Sequence, residues 1–593
     1  MYLSKINKNG RLYLAVLESY RSSDGRQAKR SIMTIGYLDQ TGHDLAYYEQ
    51  LVVKMNQDKK EEAFQTVRID MNAPLLSGNN FLNVGYFALK YIYLELGLPA
   101  FLSDIQKRSD FKWSLNKNLE LLVFSRILYP ASKLSTFDNR NIFFEGFEKG
   151  VTRDSMYDCL DILAANKEKI ERLLYKNTRD QYNRDTSTTY YDCTNFYFEI
   201  EYNDEDVVDD EGNIIRNGLR KRGPEKNKRP DPIVEMGLLM DSDGIPLAYN
   251  IFPGNESEKL SLRPVTSRVR RDYGIERTIV VADRGLNTSD NIFFLAGKNE
   301  ERDNPRDGYV YGQSVRGAST EFKEWVLDEE GYKVDIVEED KEDNEGKEKI
   351  AFTHKSRVIA REIKILKDGK RKVKVNVCQK QMVYFSFKYM MKQRYERQKM
   401  IEKAEKIVKN PQAYTRATSY GAAYYIDNIA FDKETGEIKT DLQLTVNYEK
   451  MAEEEKYDGY YAIVTSEIEY DDYKIRKIYR GLAKIEESFK VTKSYLKSRP
   501  VFVWTPEHIK GHFLICFVAL VITRLLEKRL GNRYSILRII ESLKKYSCVN
   551  IDTNTYQFLY RDEITDALAE EFGVELNRKY RTRDQIKKLL RYK

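Results

Sequence analysis

Residues 279–287 read IVVADRGLN. Four small apolar residues in a row, with no polar alternation, read as a strand buried on both faces. Such a buried-looking strand suits the sheet of an α/β chain. The run stops abruptly at Asp283 and Arg284, followed by a glycine. One reading is a plain turn, since aspartate commonly opens loops. The other is a functional carboxylate at the carboxyl end of a strand, where open α/β sheets place ligands and metals. The stretch by itself leaves both readings open.

At 593 residues the chain has room for about three to five domains. A hydrophobic share of 41% with 12% aromatic residues is enough for packed cores and excludes a mostly disordered protein. The 99 Lys and Arg nearly balance 92 Asp and Glu, so only local clustering of basic residues bears on nucleic acid. Cys159, Cys193, Cys378, Cys516 and Cys548 are scattered and four histidines are available, which suggests neither a disulfide framework nor a zinc site. The amino terminus is too polar for a signal peptide. The longest apolar run, Phe513 to Ile522, lies between Lys510 and Arg524 and is too short to span a bilayer, so it reads as a buried core helix. A soluble, cytoplasmic protein without a membrane partner is expected.

Along the chain, residues 1–70 read as a small β-rich unit, with strands at 11–20 and 30–39 and a hairpin signal at Asp24–Gly25. Residues 75–182 read as a helical domain: Leu119, Leu122, Val123 and Ile127 recur at helical spacing before Pro130, and Ser155 with Asp158 suggests an N-cap. Residues 185–300 carry strands, interrupted by a loop with Arg220, Lys221, Arg222, Lys226, Lys228 and Arg229 that is either solvated or phosphate-facing. Residues 301–455 read as an inserted β-rich domain. Residues 456–530 resume a buried strand and a long helix, and 531–593 reads as helical and basic.

Three carboxylates stand out by placement. Asp192 sits within TYYDCTNFYF, a strand apolar or aromatic on both faces, where a lone carboxylate is costly unless paired or metal-bound. Asp283 ends the IVVA strand. Glu486 borders the apolar stripe Ile475, Ile478, Leu482, Ile485 and Phe489 of a helix over 475–499. Nine basic residues against two acidic ones lie between Lys474 and Arg499. Two aspartates on strands and a glutamate on a helix suit a pair of Mg²⁺ ions, which accept few carboxylates, and Mn²⁺ can substitute. Two such ions serve phosphoryl displacement, and the basic residues around them become phosphate contacts.

VVADRG together with KIEESFKVTKSYLKSR resembles the DDE transposases of bacterial insertion sequences, in the branch with a Tyr-Arg-Glu-Lys signature and a β-rich insertion. Tyr479, Glu486 and Lys493 match that signature in register; its arginine position is Leu482 here, with Arg480 nearby. The resemblance spans roughly residues 185–530. It implies a ribonuclease H-like core, a mixed sheet flanked by helices, with Asp192 on the first strand and Asp283 after the fourth. The catalytic and metal-ligating set implied is Asp192, Asp283 and Glu486. Arg284, Tyr479, Arg480, Lys484, Lys490, Lys493, Lys497 and Arg499 are the candidate DNA and phosphate contacts. The 203 residues from Asp283 to Glu486 exceed any single crossover, which fits an insertion. Expected partners are double-stranded DNA, as terminal inverted repeats and target, and a second copy of the chain. The alternatives are a stand-alone nuclease of the same fold and a domesticated DNA-binding protein.

Overall fold

The computed structural model describes residues 1–21, 27–63, 81–224, 231–297, 307–340, 347–367, 371–416, 418–432, 435–439, 443–551 and 554–591. Backbone contacts divide the chain into two units: Met1–Asn80 with Val549–Gln557, and Phe81–Cys548 with Phe558–Lys593. In the first unit β1 (Tyr2–Lys8), β2 (Arg11–Arg21) and β3 (Gln27–Tyr37) form an antiparallel sheet, followed by α1 (Leu45–Ala63). The strands expected at 11–20 and 30–39 are both present, and Asp24–Gly25 lies outside the described residues. The helix α1 was not read in the sequence of this unit.

The second unit begins with β4 (Leu82–Asn83) and six helices: α2 (Phe87–Glu95), α3 (Leu98–Lys107), α4 (Leu115–Leu128), α5 (Lys133–Asp138), α6 (Arg153–Ala165) and α7 (Lys167–Arg179). Helix α4 ends two residues before Pro130, as expected. The cap of α6 is Thr152 and not Ser155. The Ser155 amide donates to Thr152 Oγ1 at 3.1 Å, and the Thr152 amide donates to Ser155 Oγ at 2.8 Å. Ser155 therefore sits three residues inside, closing the box from within.

The body of this unit is one mixed sheet. Its elements in chain order are β5 (Thr188–Tyr197), a small hairpin of β6 (Val207–Val208) and β7 (Ile214–Arg216), β8 (Ile233–Met240), β9 (Pro246–Pro253), α8 (Glu258–Tyr273), β10 (Ile279–Ala282), α9 (Ser289–Ala296) and β11 (Gly308–Gln313). There follow α10 (Thr320–Leu327), β12 (Lys333–Asp340), β13 (Lys347–Lys367), β14 (Arg371–Phe385), α11 (Phe387–Lys409), a short pair of β15 (Ile426–Asp427) and β16 (Thr445–Val446), α12 (Tyr448–Glu455) and β17 (Tyr460–Thr465). Nine strands pair in the order β12-β13-β14-β17-β11-β10-β5-β8-β9. Only β5, β10 and β11 run parallel to one another; the other pairings are antiparallel. Strands β8 and β10 are buried at every position; β10 is accordingly an unbroken apolar run, whereas β8 carries Glu235 among its apolar residues.

The insertion expected over 301–455 is not a separate β domain. Strand β11 lies inside the central sheet, and β12, β13, β14 and β17 extend that same sheet. What does form its own small core is the stretch around Ala404, Ile407, Ala422, Ile426, Ile438 and Leu444.

After β17 the chain runs through α13 (Asp472–Arg480), α14 (Ala483–Lys490), a π turn (Val491–Tyr495), α15 (Pro506–Arg529) and α16 (Ile536–Lys545). Helix α15 is long and apolar enough to cross a membrane, yet 94% of its apolar window is buried within the protein. Every residue from Phe513 to Ile522 is buried, and the helix packs on α2, α4 and α6. The expected core helix is therefore seen. The region 531–593 is less helical than expected, since short strands at 547–550, 555–558 and 580–582 interleave with its helices.

Candidate active site

Strand β10 pairs with β5 so that Val281 lies beside Tyr190. Asp283 remains extended, with φ −70° and ψ 166°, so carrying that register two residues further sets it level with Asp192. Neighbouring strands lie about 4.8 Å apart, and residues abreast in a parallel pair share a face. Asp192 is half-buried and Asp283 is exposed. Asp283 also caps a short turn: its Oδ1 accepts the Arg284 amide at 2.6 Å. Asp283 thus both follows the end of β10 and caps the turn that comes after it.

The segment that carries Glu486 crosses this face. The expected single helix over 475–499 is broken: α13 ends at Arg480, α14 begins at Ala483, and a π turn follows. The break has a steric cause. A Cβ on Gly481 would lie 2.0 Å from the Tyr190 hydroxyl, so only glycine lets the chain approach β5 this closely. That hydroxyl donates to the Ile478 carbonyl at 3.2 Å, and burial pushes its pKa up to about 12. Further along, the Lys493 ammonium donates to Thr194 Oγ1 and lies 5.4 Å from the Phe196 ring. Tyr190, Asp192 and Thr194 alternate onto one face of β5, so these two contacts bracket Asp192. On the other flank Tyr479 lies over β11: a Cβ on Gly312, the residue level with Asp283, would stand 2.5 Å from its hydroxyl. Burial, then the nearby Asp283 carboxylate, raise the Tyr479 pKa well above its usual value.

Glu486 and Glu487 part company on α14. Ile485, Ser488 and Phe489 are buried. Glu487 is exposed on the flank that meets α15, where Arg524 reaches it at 3.3 Å. Glu486 is turned about 100° away, on the opposite flank, exposed and without an ion pair among the described residues.

The candidate phosphate contacts divide similarly. Arg284, Arg480 and Lys490 are exposed. The Lys484 ammonium is committed elsewhere: it donates to the Ser242 carbonyl at 2.6 Å in the turn after β8, and its pKa is lowered by burial. Lys497 and Arg499 lie beyond the π turn, with Arg499 5.9 Å from the Tyr197 ring. In the earlier basic loop Arg220 and Lys221 pair with Asp204 and Asp206, while Lys226, Lys228 and Arg229 lie outside the described residues.

A cleft of about 260 Å³ opens beside Asp283 and Arg284. Its walls include Gln313, Arg316, Tyr389, Tyr461 and Tyr479, and Tyr389 stacks on Tyr461 at 3.9 Å. Arg316 and Tyr389 went unread in the sequence because both come from the long excursion between β11 and β17. The usable signal was Gly312 beside Tyr311 within a buried strand, a mark of close approach.

Carboxylate oxygens are the donors that a hard divalent cation takes, and Asp192 abreast of Asp283 fits that role. Among the described residues no three His, Cys, Asp or Glu side chains gather into one metal-holding group. The structure thus brings the two aspartates together and leaves Glu486 on the helical segment over the same face. No protein-family model and no curated protein matches the chain.

Proposed function

We propose that this chain is a DDE transposase, which cuts the ends of its element and joins them to target DNA. One observation carries the reading. Tyr479 and Lys493, seven residues to either side of Glu486, both land on the face that carries Asp192 and Asp283. A random basic helix has no reason to aim its two signature side chains at Asp192 within β5 and Asp283 at the end of β10.

The sheet supports a ribonuclease H-like core as the finer reading of the fold. Between residues 185 and 313 its strands are β5, β8, β9, β10 and β11; the first and fourth are neighbours and parallel. An aspartate on the first and one at the end of the fourth therefore meet.

In this site Asp192 and Asp283 would hold a divalent cation, with Glu486 completing the set, and the cation would neutralise charge on a reacting phosphodiester. Tyr479 packs beside Asp283 and fixes the height of α13 over the sheet. Lys493 holds the π turn against β5, and Arg284 and Lys490 remain exposed to meet the DNA backbone. Positioning and charge neutralisation supply most of such catalysis.

The test is incubation of the full chain with labelled element ends and a target plasmid in Mg²⁺. Cleavage with joined products is the expected result. Cleavage without joining assigns a stand-alone nuclease instead, and DNA binding without cleavage assigns a domesticated binding protein.

A further inference from the structure

Arg126 on α4 and Lys133 on α5 are both buried, at 6% and 5% exposure. Neither is paired with a carboxylate among the described residues. Arg126 donates to the carbonyls of Ala131, Leu496 and Lys497 at 3.1 to 3.2 Å, and its Nε is buried with no partner. Lys497 is held at φ 42°, a left-handed conformation rare outside glycine, and its carbonyl is one of those three. Lys133 lies 3.0 Å from His512 Nδ1, while His512 Nε2 faces the Ser498 carbonyl at 3.4 Å. Nε2 then carries the proton and Nδ1 accepts from Lys133, so this contact supplies no negative charge. Burial, helped by Arg126, pushes the Lys133 ammonium down to about 7. Two buried cations offset only by neutral dipoles are costly unless an anion joins them.

There is space for one. Arg126, Lys133 and His512 line a cavity of about 140 Å³ with Lys497 and Arg499, and no acidic residue among those described lines it. That is below the roughly 300–1,000 Å³ of ordinary ligand pockets, and it suits a single chemical group. Past Pro130, Ala131 and Lys497, which line both, lies a second cavity of about 520 Å³ that holds Lys544 and, among the described residues, again no acidic one.

We propose that the smaller cavity is a phosphate site in which Arg126 and Lys133 grip one phosphate group, while the larger cavity receives whatever that phosphate is attached to. A planar guanidinium and an ammonium at one point are the donors that phosphate oxygens take. That the bearer is a DNA strand rests on the transposase reading; the phosphate site itself does not.

The experiment measures thermal unfolding of the full chain against inorganic phosphate, with chloride at equal ionic strength as control. Wild type should be stabilised saturably. Lys133→Met should weaken phosphate binding at least about tenfold, since a buried charge-assisted bond is lost. Arg499→Gln, at a half-exposed wall, gives the second reading if Lys133→Met fails to fold. No saturable effect in wild type, or equal phosphate affinity in the folded variants, overturns the proposal. Two oligonucleotides of one sequence, with 5′-phosphate or 5′-hydroxyl, then compete against inorganic phosphate. Equal competition assigns an internal phosphodiester, competition by the first alone assigns a terminal phosphate, and competition by neither overturns the role given to the larger cavity. A wild type that binds phosphate yet never joins DNA ends sinks the transposase reading and leaves this one standing.

Discussion

The two faces of the central sheet treat carboxylates in opposite ways. On the face covered by α8 and α9, Tyr191, Cys193, Val280, Ala282, Tyr309 and Tyr311 pack into a continuous core. Glu235 belongs to that side, level with Asn195 across the β5–β8 pair. Burial, then a hydrogen bond with Glu258, raise its carboxyl to about 9, so it is held neutral at physiological pH. On the opposite face, Asp192 is half-buried and Asp283 exposed, under a helical segment that touches the sheet at a few points. Both faces are built from the same strands. What differs is the cover: a closed layer holds a proton on its acid, whereas a broken helix leaves a gap in which carboxylates meet solvent, cations or phosphates.

The largest expected effects test which face carries the chemistry. Asp192→Asn and Asp283→Asn should each lower end cleavage by on the order of a hundredfold or more, as should chelation of divalent cations, while Glu235→Gln stays within a few-fold of wild type. Labelled-end cleavage with a circular-dichroism check on folding measures this. A dead Glu235→Gln beside an active Asp283→Asn would invert the assignment.

A second comparison lies within α14. Glu486→Gln should lose roughly a hundredfold in cleavage with DNA binding intact by gel shift, and Glu487→Gln no more than a few-fold. Glu487 also pairs with Arg524, so its replacement should cost at most about 1 kcal/mol of stability. If Glu487→Gln is the inactive one, the flank assigned to Glu486 is wrong.

The closed face makes its own prediction, in stability rather than rate. The Glu235 carboxyl titrates near 4.5 when unfolded and about 9 when folded. Folding therefore takes up a proton between those values, and the contribution of Glu235 to stability falls as pH rises through that window. Glu235→Gln removes the penalty, so its melting temperature should gain on wild type from pH 5 to pH 8.5. A constant gap across that range would show that Glu235 ionises freely.

The smallest effect concerns the open face. Lys490→Ala should weaken binding alike across DNA sequences and shallow the salt dependence by about one. Lys484→Ala should leave that slope unchanged, because its ammonium already bonds the Ser242 carbonyl.

Much of this was legible in the residues. The unbroken apolar run Ile279 to Ala282 revealed β10, and Phe513 to Ile522 revealed the core helix, because burial on all sides leaves no polar alternation. The spacing of Tyr479, Glu486 and Lys493 placed three side chains on one segment before any contact was known. Other features were hidden. The break at Gly481 depends on the Tyr190 hydroxyl, nearly 300 residues away, and local helix periodicity carries no trace of it. Lys484 looked like its basic neighbours until the turn after β8 folded against it. The excursion from β11 to β17 read as a domain because strand runs do not say which sheet they join.

That excursion begins and ends at facing positions. Gln313 closes β11 directly opposite Ala462 on β17. In engineering terms the two strands are ready to be joined by a tight turn, and everything between them hangs on the tip of a hairpin. Lengthening a loop at such a seam costs little closure entropy, but Ile363, Ile365 and Val377 of the excursion pack into the core shared with β5, β10 and β11, so its loss would be felt there. A shortened variant spliced there keeps Asp192, Asp283 and Glu486, and gives up Arg316 and Tyr389 from the cleft wall. It also bares β17 along the edge that β14 now covers. The trimmed protein would then need a charged or proline-bearing edge to stay monomeric.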